Sequence, residues 1–81
     1  MEEEWLHRLA TILGVDPVDE AQIGDILDAA RDVAHNVERK LTPVSTFLLG
    51  AATQRRIGHG ATSSDALQDA LTDFRSALPP T

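Results

Sequence analysis

The stretch Ile23-Gly24-Asp25-Ile26-Leu27-Asp28-Ala29-Ala30-Arg31-Asp32-Val33-Ala34-His35-Asn36-Val37 decides how this chain folds. Its apolar residues recur at steps of three and four: Ile23, Ile26, Leu27, Ala30, Val33, Ala34 and Val37. At about 100° per residue they fall within an arc of roughly 120°, the apolar edge of an amphipathic helix. No strand-like alternation competes with that period. The spacing predicts the longest helix of the chain over about residues 19–40. Asp16-Pro17 makes a turn before it, and Asp16 or Asp19 is placed to cap its first N–H groups. Gly24 is its one weak point, costing up to ~1 kcal/mol relative to alanine, though its small size suits close packing.

Outward from this helix the same period continues. Upstream, Trp5, Leu6, Leu9, Ile12 and Leu13 share one side and predict a helix over about residues 3–13. Glu2, Glu3 and Glu4 suit its N-terminal dipole, and Gly14 supplies a left-handed stop. Downstream, Thr42 is a good N-cap and Pro43 is pre-set for a first helical position. Val44, Phe47, Leu48, Ala51 and Ala52 form the main stripe of that third helix, with Leu49 off it. A helix apolar on most sides is expected to be central and buried. Gly50, Ala51 and Ala52 offer a small-residue surface for a close neighbour, and Arg55 and Arg56 suit the carbonyl end. A loop from Gly58 to Ser64 follows, with Thr62 or Ser64 as cap. Leu67, Ala70, Leu71, Phe74 and Leu78 then mark a fourth helix, ended by Pro79. The expected fold is all-α, a small up-and-down four-helix bundle. It forms a single domain over residues 1–78 with a disordered tail over 79–81.

With 81 residues there is room for one domain at most. The absence of cysteine excludes disulfides and thiolate metal sites. Thirteen acidic against seven basic residues give a net charge of −6, which argues against nucleic acid as a partner. The longest central run without a charge, residues 41–54, is too short to span a bilayer. The glutamate-rich start lacks the basic opening of a secretory signal, so a cytoplasmic location is expected. Charge is unevenly spread: −7 over residues 1–30, +3 over 31–56 and −2 over 57–81. The core is lean in large side chains, and a homodimer burying Leu49 or Trp5 would add to it.

No reaction is legible. There is no cysteine nucleophile, no Gly-x-Ser-x-Gly elbow and no glycine-rich phosphate loop. The one constellation of interest is the polar side of the second helix. There Asp28, Arg31, Asp32, His35 and Arg39 fall within an arc of roughly 100° opposite the apolar edge. Arg31, His35 and Arg39 are spaced by four and are expected to be neighbours. Guanidinium forks suit phosphate or carboxylate, so this side reads as an anion-recognition or partner-docking face. It reads equally as a solvated set of helix-surface ion pairs. A metal at Asp28, Asp32 and His35 is not expected, since a single Asp-x-x-His is too few ligands and His7 and His59 lie on other elements. No cofactor is expected.

The run Leu27-Asp28-Ala29-Ala30-Arg31-Asp32-Val33-Ala34-His35-Asn36-Val37-Glu38-Arg39 and the later Pro43-Val44-Ser45-Thr46-Phe47-Leu48-Leu49-Gly50-Ala51-Ala52 carry a resemblance. They resemble a small actinobacterial family of unknown function. Its members stand alone or are appended to molybdenum-cofactor guanylyltransferase, which joins GMP to molybdopterin. Lys40-Leu41-Thr42 departs from the alanine-rich lead-in to Pro43 associated with that family. The resemblance implies no catalytic residues. It does imply that Arg31, Asp32, His35, Glu38 and Arg39 form a docking face, with the guanylyltransferase as partner of a non-catalytic accessory domain. The alternative is a phosphate-, nucleotide- or molybdopterin-binding module using the same arginines and His35.

Overall fold

The computed structural model describes residues 2–80. It contains α1 (Glu2–Leu13), α2 (Glu20–Asn36), α3 (Thr42–Gly58) and α4 (Ser63–Ser76). A single 3-10 turn, Arg39–Leu41, joins α2 to α3. This is the expected all-α small bundle, and no strand occurs among the described residues. Of the tail, Pro79 and Pro80 lie in exposed irregular chain, and Thr81 lies outside the described residues.

The helix starts follow side-chain chemistry. Asp19 accepts the Gln22 N–H at 2.8 Å, and the Asp19 N–H donates to the Gln22 side chain at 2.9 Å. This capping box satisfies two otherwise orphaned donors. Asp16, the other candidate cap, instead accepts the Ser63 hydroxyl at 3.0 Å and ties the α1–α2 link to the start of α4. Replacing Asp19 by alanine is expected to lower stability by about 1 kcal/mol, read as a shifted urea midpoint with an unchanged slope. Thr62 caps α4 by accepting the Asp65 N–H at 3.2 Å. Gly14 ends α1 with φ at +70°, in the region that side chains disfavour.

Thr42 does not cap α3. The 3-10 turn runs straight into the helix, so Thr42 already has helical angles (φ −58°, ψ −50°), whereas an N-cap needs extended backbone. Its hydroxyl is buried and makes no hydrogen bond. The end of α2 also differs from expectation. Nothing in the composition of residues 37–40 stops a helix, yet α2 ends at Asn36. Glu38 is extended (φ −162°, ψ 136°), and the chain turns back there. The stop is tertiary: α3 has to reverse direction to pack against α2.

The core lies between α2, α3 and α4. Ala29 from α2, Leu49 from α3, and Leu67, Ala70 and Leu71 from α4 form one buried cluster, flanked by Ile26, Ala52 and Phe74. The alanines let the helices approach closely, and polar links close the edges. The Gln68 amide donates to Asp25 at 2.9 Å, tying α4 to α2. Arg56 pairs with Asp73, tying α3 to α4, and also donates to the Ala52 carbonyl at 3.3 Å. Helix α1 sits at the margin: none of its α-carbons comes within 8 Å of one in the other helices.

The orientation of α3 is the main correction. Its inward side is Leu49, Ala52, Thr53 and Arg56, at steps of three and four. Leu49 is only 4% exposed, whereas Phe47 is 73% and Leu48 60% exposed. The stripe Val44–Phe47–Leu48–Ala51 therefore faces away from the core. Leu49 is not available to a dimer interface. Apolar residues surround most of this helix, and hydropathy alone favours the outward side, which carries Val44, Phe47 and Leu48 where the inward side has Leu49, Ala52, Thr53 and Arg56. The chosen side combines small residues for close packing with an arginine that reaches Asp73. A smaller rotation affects α2, where Ala29 and Val33 are buried and Leu27 and Val37 are exposed. Neither Gly24 nor Gly50 is a close-approach point, since an added Cβ meets nothing within 4 Å at either.

Candidate interaction faces

The polar side of α2 is the first candidate. Arg31 and His35 are exposed one turn apart, and Asp32 is half-buried beside them. The Arg31 guanidinium donates to Asp28 at 3.1 Å, an exposed pair of the helix-surface kind. His35 thus faces solvent, as the docking reading requires. Arg39 is not on this helix. Because α2 stops at Asn36, Glu38 and Arg39 fall in the connection and its 3-10 turn, and the four-residue step from His35 to Arg39 no longer makes them helical neighbours. Glu38 pairs instead with Lys40 at 3.5 Å. An anion clamp from Arg31, His35 and Arg39 needs one continuous helix face, which the early stop removes.

Periodicity alone misses the apolar member of this face. Leu27 is 60% exposed and lies one turn before Arg31, with half-buried Ala34 and exposed His35 continuing the same side. It reads as a core residue until the rotation of α2 is known.

The second candidate is the outward stripe of α3. Val44, Phe47, Leu48 and Ala51 are exposed in line with Arg55, and no acidic residue occurs anywhere on α3. Among the described residues neither Arg55 nor Arg39 pairs with a carboxylate. The basic middle of the chain is thus only partly neutralised by its acidic flanks, through Arg31 with Asp28 and Arg56 with Asp73. Phe47 and Ala51 also border an apolar groove of about 580 Å³. Val18, Ile26, Ile57 and Leu67 line its other walls.

No group of three or more His, Asp or Glu side chains is placed to hold a metal ion among the described residues. No helix among them is long and apolar enough to cross a membrane. No curated protein and no solved structure matches the chain. The model of the family described as a domain of unknown function (DUF6457) matches residues 1–79, nearly the whole length, and the chain belongs to that family.

Proposed function

We propose that this chain is a non-catalytic, cytoplasmic interaction domain that docks a larger protein through the outer side of α2. The observation that carries this reading is Leu27. A large aliphatic side chain, mostly exposed, sits one turn from an exposed arginine and two turns from an exposed histidine. Exposed aliphatic surface beside a guanidinium suits a docking surface, whose centre is apolar and where arginine is enriched. Glu38 and Arg39, on the turn beyond the helix, extend that surface toward α3.

The partner we propose is molybdenum-cofactor guanylyltransferase, on the resemblance of the 27–52 region. The domain then serves the formation of molybdopterin guanine dinucleotide as an accessory, supplying contact rather than bond-making groups. In a binding assay with the purified enzyme, Leu27→Asp and Arg31→Ala are each expected to weaken binding at least tenfold, with helical content unchanged. Equal binding by both variants contradicts the proposal. Addition of GTP is expected to leave the amide signals of Arg31, His35 and Arg39 in place. A saturable shift confined to them would instead favour the phosphate- or nucleotide-binding reading.

A further inference from the structure

The interior of this fold is small for its length, and its apolar residues are unevenly spent. The buried set among the described residues is Ala10, Ala29, Val33, Leu49, Ala66, Leu67, Ala70 and Leu71, half of it alanine. Trp5, Ile12 and Leu13 on α1 are exposed, and so are Val44, Phe47 and Leu48 on α3. The Trp5–Ile12 side of α1 and the outward stripe of α3 thus lack a partner in the same molecule, while the inner side of α1 carries buried Ala10 and half-buried Leu6 and Leu9. Helix α1 approaches no other helix closely, and α3 turns an apolar stripe outward.

We infer that the two surfaces cover one another between copies: α1 of one molecule docks on the outward stripe of α3 of a second, and the exchange is reciprocal. Charge selects this pairing over α3 against α3. With Lys40 paired to Glu38 and Arg56 to Asp73, the outward side of α3 and the turn before it keep Arg39 and Arg55 without a carboxylate partner among the described residues, so antiparallel self-pairing sets these like charges face to face. Helix α1 opens with glutamates, of which Glu3 and Glu4 are exposed. With Trp5 facing α3, an antiparallel arrangement brings Glu4, which borders that side of α1, toward Arg55, while Glu3 adds to the negative end of the helix from its far side. The arrangement also brings the carbonyl end of α1 to Arg39 and Lys40, where the helix dipole favours cations.

Size fits as well. In this register Trp5 meets the small residues Gly50 and Ala51 at the mouth of the apolar groove, the kind of anchor that dominates an interface. Each of the six exposed side chains offers on the order of 100 Å². Reciprocal docking therefore covers roughly 600 Å² of apolar surface per molecule, most of the ~800 Å² a stable interface takes from each partner. This interface uses neither Leu27 nor Arg31 and stands or falls apart from enzyme docking on α2.

The test is sedimentation of the full chain over a concentration series. The expected mass at tens of micromolar is twice the 8.8 kDa of one chain. Trp5→Ala and Phe47→Glu are each expected to raise the dimer dissociation constant at least tenfold. Arg55→Glu and the pair Glu3→Lys with Glu4→Lys are expected to weaken it severalfold when introduced separately, and to restore it when combined. That rescue holds even where Phe47→Glu disturbs the fold, and α3 self-pairing does not produce it. A chain that stays monomeric at 100 µM overturns the inference. So does a dimer indifferent to Trp5→Ala, or separate charge reversals without rescue in combination.

Discussion

Leu71→Ala is expected to lower stability by about 3 kcal/mol, the largest effect of any single truncation in this chain. Leu71 is fully buried and is the largest side chain enclosed to that degree. It stands within the cluster of Ala29, Leu49, Leu67 and Ala70, where α2, α3 and α4 meet. Removing its three outer carbons leaves a void that neighbouring alanines are too small to fill, so a cavity cost adds to the lost transfer energy. A domain of this length has roughly 4–12 kcal/mol in total. The substitution therefore removes a large fraction of it. A urea titration followed by far-UV circular dichroism should show the midpoint falling by about 2–3 M at the slope of ~1 kcal/mol/M usual for small domains. A loss below ~1 kcal/mol would mean that the centre of the core lies elsewhere.

Much of this architecture is legible in the sequence, because local chemistry and tertiary need agree over most of it. Asp19 and Thr62 stand before apolar-periodic runs and cap them. Gly14 stops α1 where a positive φ is required. In α4 the run Leu67, Ala70, Leu71 and Phe74 has one apolar side only, and that side is the one that packs.

Legibility fails where local chemistry does not point to the tertiary answer. Helix α3 has apolar residues around most of its circumference, so only the fit of Leu49 against α2 and α4, with Arg56 reaching Asp73, selects the inward side. Residues 37–40 hold no helix breaker, and the end of α2 is imposed by the return of α3. That one unpredicted stop decides how the polar face of α2 is read, since it removes Arg39 from the line through Arg31 and His35. Leu27 became visible as part of a surface only through the rotation of α2.

The second large effect concerns that choice of side. Leu49 and Leu48 are adjacent and chemically identical, and they differ only in where the helix points them. Leu49→Ala is expected to cost about 2–3 kcal/mol because it opens a cavity between α2, α3 and α4. In a dissociated molecule Leu48→Ala removes an exposed side chain and is expected to cost less than ~0.5 kcal/mol. Hydrophobic transfer acts on area removed from water, so position rather than composition sets the difference.

The reciprocal α1–α3 interface, and the placing of the core between α2, α3 and α4, depend on α3 pointing its Phe47 side outward. The most direct measurement is this pair of variants, unfolded in urea at a concentration low enough that sedimentation finds one chain per particle. A cost at Leu49 exceeding that at Leu48 by about 1.5 kcal/mol or more is the predicted result. Equal costs, or a larger one at Leu48, would place the outward stripe inside the bundle and contradict the account.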